Sequence, residues 1–172
     1  MKRIYLIILS VLYGSSMLLA QTQFQVLPDK NGGKILKGVI SRDILEKDTA
    51  FKWFVDNQKG FTPQETAVTG LKQLADSVEL LVYMGTWCED SHFVIPRFYA
   101  LLDKAGFPKD KVTLIGVDRD KKTLSHLAEA LGVTNVPTII VMKKGKEVGR
   151  VIEYGPDGLF DKELGLILAG KK

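Results

Sequence analysis

Cys88 is the side chain in this sequence whose type and setting point most directly to covalent chemistry. It stands in Thr86-Trp87-Cys88-Glu89-Asp90-Ser91, and it is the only cysteine in 172 residues. A lone thiol cannot close a disulfide within its own chain, and a dithiol exchange would need a second cysteine three residues on, where Ser91 stands. Any redox step must therefore run through a second molecule. Cys88 opens a stretch with helical character, and unsatisfied N–H groups and the dipole at a helix start favour a thiolate. Ser91, one turn on and facing the same side, can donate its hydroxyl to the sulfur. Glu89 and Asp90 oppose the thiolate by like charge, although both also suit a helix N-terminus; protonated His92 would offset them. Cys88, Glu89, Asp90 and His92 are metal-ligand types, but neighbours on one helical turn point in different directions, so no metal site is expected.

The elements around Cys88 follow from apolar periodicity. Glu79 to Met84 is a short apolar run of the kind a buried strand shows, and Cys88 to Ala105 reads as a helix that Pro96 should kink. Lys111 to Asp118 predicts a second buried strand, and Thr123 to Leu131 a helix ending at Gly132. Thr138 to Met142, the turn Lys143–Lys146 and Glu147 to Ile152 form a hairpin pattern, and Asp161 to Leu168 a closing helix. Phe93, Phe98 and Tyr99 fall at core spacing. Asp118-Arg119-Asp120 lies at a strand's end, where α/β ligand sites form, yet is equally a solvated turn.

Ahead of this, Gln21 to Lys37 predicts an opening strand and a turn at Pro28, Asn31, Gly32 and Gly33. Ser41 should cap a helix carrying Ile44, Leu45, Phe51, Phe54 and Val55 on one face, ending at Lys59-Gly60. Thr62-Pro63-Gln64-Glu65 has the form of a capping box for a helix reaching Asp76. Residues 1–20 read as a secretory signal: Lys2-Arg3, an apolar run from Ile4 to Leu12 broken by Ser10, and cleavage near Ala20-Gln21. The run is shorter than the ~20 residues of a typical membrane span. The mature chain is thus expected to be exported, to a periplasmic or extracellular space, with no membrane attachment after cleavage.

Composition limits the remaining classes. The formal charge of +4 falls to +2 once Lys2 and Arg3 are removed, and no arginine-rich run is present. Nucleic acid is not an expected partner. The order strand, helix, strand, helix, hairpin, helix predicts an α/β fold with a central mixed β-sheet flanked by helices.

In that order, residues 79–169 resemble a thioredoxin domain. Trp87-Cys88 matches the start of the family's Trp-Cys-x-x-Cys motif, and Pro96 its helix proline. Val136-Pro137-Thr138 resembles the cis-proline loop, and Gly155 the glycine bordering the active-site groove. The resemblance implies a thioredoxin-like domain over 79–172, with residues 21–78 as a helical N-terminal extension packed on it. It implies a cis Val136–Pro137 peptide facing the sulfur, with Trp87, Val136 and Pro137 contacting substrate and Cys88 and Ser91 carrying the chemistry. Two departures qualify it: Ser91 replaces the resolving cysteine, and Val82 stands where the family has a buried acid. The implied activity is thiol–disulfide exchange through one nucleophile, with protein or small-molecule thiols and disulfides as partners and no cofactor. A Cys88–Cys88 homodimer is an expected oxidation product. The other class the resemblance admits is a binding or chaperone module that keeps the groove without turnover.

Overall fold

The structure is a computed structural model, described here over residues 23–171. The expected signal segment, 1–20, lies outside the described residues. Six strands form one sheet: β1 (Phe24–Pro28), β2 (Lys34–Ile40), β3 (Glu79–Met84), β4 (Val112–Gly116), β5 (Thr138–Lys143) and β6 (Lys146–Ile152). Their order is β1-β2-β4-β3-β5-β6. β3 and β4 run parallel, and the other neighbouring pairs are antiparallel. The helices are α1 (Arg42–Lys47), α2 (Lys52–Asp56), α3 (Glu65–Leu74), α4 (Glu89–Ala105), α5 (Leu127–Ala130) and α6 (Phe160–Leu168).

β3 lies at the centre because both of its faces are apolar. Leu80, Val82 and Met84 point into a large core shared with α3, α4 and α6. Tyr83, one residue out of phase, joins Ile115, Val117, Ala128, Val136 and Ile140 on the opposite face. This period-2 division of one strand between two cores is what a sheet covered on both sides requires. Helix α4 crosses from β3 to β4, so the segment between strand and helix emerges at the C-terminal edge of the sheet. Cys88 is in that segment.

Four local expectations are corrected. The N-terminal segment supplies two strands, and β2 pairs directly with β4 through Gly38↔Gly116, Val39↔Ile115 and Ile40↔Leu114. The helix expected from Ser41 is divided into α1, a 3-10 turn over Thr49–Phe51, and α2. Asp48 breaks it: its backbone is extended, and its Oδ1 accepts from Ala50 N–H at 2.9 Å, a local bond that competes with the helix. Leu45, Phe51 and Phe54 are buried as expected, but Val55 is exposed. The helix expected over Thr123–Leu131 is likewise split, because Ser125 and His126 adopt left-handed backbone. Thr123 Oγ1 donates to Gly116 O and Tyr83 Oη donates to Leu127 O, so tertiary bonds fix both ends of that break.

The fourth correction concerns the start of α3. Thr62 does not cap it; Gln64 is the first flanking residue and makes no side-chain cap. The cap comes from α6, 97 positions along the chain: Asp161 Oδ2 accepts from Gln64 N–H at 2.8 Å, and Asp161 is buried. The expected result of Asp161→Ala is a loss of about 1–2 kcal/mol, the usual cost of removing a buried oxygen cap from a helix start. Chemical denaturation measures it, and an unchanged midpoint would show that the bond adds nothing.

Candidate active site

Cys88 is the N-cap of α4, with extended backbone (φ −100°, ψ 121°). Its N–H donates to Gly85 O at 3.0 Å, and its own carbonyl accepts from His92 N–H at 3.0 Å, the first bond of the helix. The half-buried sulfur therefore sits where the unpaired N–H groups of a 17-residue helix begin. Trp87 precedes it, with Nε1 donating to Val117 O at 3.0 Å. The indole lies on Gly85: a Cβ there would stand 2.7 Å from Trp87 Cε2, so a larger residue at 85 would displace the ring.

The loop before β5 meets the sulfur. The Val136–Pro137 peptide is cis, and Cys88 Sγ donates to Val136 O at 3.3 Å. Glu153 holds the loop at two points. Pro137 O accepts from Glu153 N–H at 2.7 Å, and Asn135 Nδ2 donates to Glu153 Oε1 at 2.9 Å. Cys88, Trp87, Val136 and Pro137 thus converge at one edge of the sheet.

Ser91 is placed differently from the sequence expectation. It is fully buried, and its Oγ accepts from Gly85 N–H at 3.2 Å. The anticipated hydroxyl–sulfur bond is not among the contacts of Cys88, whose hydrogen-bond partner is Val136 O. Ser91 instead ties the first turn of α4 to the end of β3. Val82 lies wholly buried in the large core. His92 directs Nε2 at the Thr86 carbonyl, 2.8 Å away. A carbonyl only accepts, so this nitrogen carries a proton. The His92 ring stacks on Trp53 at 4.1 Å between centroids. Pro96 lacks the N–H that would bond His92 O, and Asn57 Nδ2 donates to that carbonyl at 2.9 Å.

Three groups near the thiol have roles that sequence reasoning missed. Tyr154 Oη donates to Asp90 Oδ1 at 2.8 Å, and burial together with that carboxylate pushes the phenol up to about 12. Phe93, expected in the core, is exposed and packs against Tyr154 with 5.4 Å between rings, while Arg97 lies 3.5 Å over it. Phe98 and Tyr99 are buried as expected. Arg119 belongs to the ambiguous Asp118-Arg119-Asp120 turn. Its Nε and Nη2 bond both oxygens of Asp29 at 2.8 and 2.9 Å, and its guanidinium lies 5.1 Å from the Trp87 ring centroid. Arg119 is raised above its ordinary value, first by the bond to Asp29 and then by the charge of that carboxylate, against the opposing effect of burial. No sequence pattern could reveal this pair, because its members are 90 positions apart. Among the described residues no group of His, Cys, Asp and Glu could hold a metal ion, and no helix is long and apolar enough to cross a membrane.

Comparison with known proteins agrees with this geometry. A family model described as Thioredoxin matches residues 65–162, more than half of the chain. Thioredoxin H2 of Arabidopsis thaliana is 30% identical over 92 residues, 52% of this chain and 65% of that protein. The mitochondrial thioredoxin-2 of Schizosaccharomyces pombe is 30% identical over 78 residues, 45% of this chain and 54% of its own length. The chain thus spans less than two thirds of each of these relatives. A thioredoxin of Chlamydia muridarum is 31% identical over 90 residues, covering 52% of this chain and 78% of that one. Among solved structures, a protein of unknown function, PA1234 of Pseudomonas aeruginosa, superimposes with a TM-score of 0.51 at 14% identity, covering 75% of this chain and 89% of that one, a likeness of fold alone. With a mixed sheet flanked by helices, a Trp-Cys step at the head of α4 and a family match over more than half its length, the chain belongs to the thioredoxin family.

Proposed function

We propose that this protein carries out thiol–disulfide exchange through Cys88 alone, as an exported monothiol member of its family. The observation that carries the reading is the contact of Cys88 Sγ with Val136 O at 3.3 Å, which sets a helix-capping thiol against the Pro137 loop. In the resting thiol the proton is directed at the Val136 carbonyl. Its loss frees that carbonyl to accept from an extended partner and leaves a thiolate at the helix start. The thiolate attacks one sulfur of an external disulfide and expels the other as a thiolate. The product is a mixed disulfide on Cys88. No second cysteine exists to resolve it, so release requires a thiol from the partner or from a small molecule. That chemistry suits isomerisation or the exchange of single mixed disulfides. Trp87, Val136 and Pro137 are the substrate contacts in this reading. Export rests on residues 1–20 and would deliver the free thiol to an oxidising compartment.

The test is intact-mass spectrometry of the mature chain mixed with a small disulfide near neutral pH. A single adduct is expected on the wild type and none on Cys88→Ala, with a Cys88-linked dimer under oxidant alone. A wild-type chain that forms no adduct would leave the non-catalytic binding module as the better reading. The exposed Phe93 beside Tyr154 is the feature that favours that second reading, since it offers an apolar contact independent of the sulfur.

A further inference from the structure

The turn after β4 holds two cations against the residue next to the nucleophile. Arg119 lies 5.1 Å and Lys121 Nζ 5.7 Å from the Trp87 ring centroid. Asp29, in the β1–β2 turn, occupies Nε and Nη2 of Arg119 and leaves Nη1 available. Lys121 is half-buried, held at a left-handed backbone (φ 59°), and forms no salt bridge among the described residues. Of the acids in this turn, Asp118 is committed elsewhere and Asp120 is exposed to solvent. Asp118 Oδ2 takes Lys37 Nζ at 2.6 Å, and its Oδ1 accepts the N–H groups of Asp120 and Lys122. Asp90 accepts from Tyr154, which follows β6, whereas Arg119 and Lys121 follow β4; β3 and β5 lie between those two strands. The thiol therefore has a cationic flank on the β4 side and an acidic, aromatic flank on the β6 side.

We propose that Arg119 Nη1 and Lys121 Nζ form an anion-binding rim beside Cys88, which selects thiol and disulfide partners bearing a carboxylate close to the reacting sulfur. The inference rests on the exchange reading and names its substrate class. Trp87 positions both cations by offering its ring face, and Asp29 fixes the guanidinium so that little freedom is lost on binding. The step is Cys88–S⁻ plus a carboxylate-bearing R–S–S–R giving Cys88–S–S–R and R–S⁻, with the thiol proton released to solvent. Both electrons of the broken S–S bond leave on R–S⁻.

The experiment follows adduct formation on the full mature chain by intact mass, using 3,3′-dithiodipropionate (anionic), cystamine (cationic) and bis(2-hydroxyethyl) disulfide (neutral). Each rate is divided by the neutral rate in the same variant, which removes any change in intrinsic thiol reactivity. The anionic-to-cationic ratio is expected near tenfold for the wild type in dilute buffer, roughly the scale of one charge pair at the protein surface. It should fall severalfold in about 0.5 M salt and approach one in Arg119→Gln with Lys121→Gln. Disulfide peptides flanked by Glu or by Lys distinguish the source: discrimination among peptides marks an acidic protein segment, and discrimination among the small disulfides alone marks a small acid. A wild-type ratio near one, or a ratio unmoved by both substitutions, would overturn the rim while leaving exchange at Cys88 intact. No adduct with any of the three disulfides would overturn the exchange reading itself, and the rim with it.

Discussion

Replacing Ser91 with cysteine is expected to shorten the life of a Cys88 mixed disulfide by about a hundredfold or more at ~10 μM external thiol, because a tethered thiol acts at millimolar effective concentration or above. Residue 91 is one turn from the N-cap. A thiolate introduced there can attack Cys88 Sγ, expel the bound partner as its thiolate and close an intramolecular disulfide between positions 88 and 91. The substitution removes the oxygen that accepts from Gly85 N–H at 3.2 Å, a cost of about 1 kcal/mol, small enough to keep the fold. Val82 still places no carboxylate beneath the site, so resolution should be slower than with a proton acceptor there. The measurement is the decay of a preformed adduct by intact mass. An adduct on Ser91→Cys that lasts as long as on the wild type would mean that position 91 cannot reach the sulfur.

Gly116→Ala should lower the melting temperature by about 6–12 °C, corresponding to roughly 3 kcal/mol. Gly116 pairs with Gly38 where β4 meets β2, and a Cβ would press directly on the Leu36 carbonyl oxygen. The obstacle is backbone, so relief requires opening the β2–β4 ladder. The disturbance reaches the active site along two routes. Thr86 Oγ1 accepts from Leu36 N–H and donates to Lys34 O, so β2 holds the residue before Trp87. The β1–β2 turn also carries Asp29, which fixes Arg119. Thermal melting with amide exchange across Lys34–Ile40 checks both consequences. A wild-type melting temperature would show that β2 can shift without cost.

The parts of this molecule legible in its sequence are those whose cause is local. β3 announces itself because Leu80 to Met84 must be apolar on both faces, and the β5–β6 hairpin because Gly145 marks its turn. Cys88 and Pro137 are legible through neighbours one or two residues away. β2 is hidden: Lys34-Ile35-Leu36-Lys37-Gly38 has no clean alternation, and Gly38 is there for the close pass of the paired chain, where a Cβ would meet Phe24 Cα at 2.7 Å. The helix start at Gln64 is equally hidden, because its cap is Asp161, on another helix. Ser91 is legible as a residue but not as a partner, since its hydroxyl oxygen accepts from Gly85 N–H. Arg119 reads as a turn cation until the β1–β2 hairpin brings Asp29 to it.

The carbonyl that Pro96 leaves open has a further meaning. Helix α4 carries the nucleophile, yet one of its main-chain acceptors, His92 O, is completed by Asn57, which follows α2. On the same turn the imidazole rests against Trp53 of α2 and reaches back to Thr86. Both α2 contacts come from residues ahead of the stretch, 65–162, that matches the family. The reactive helix therefore borrows part of its integrity from sequence outside the shared family region. A change at Asn57 or Trp53, remote from any thiol in the primary structure, would be felt first in the turn that aims Cys88.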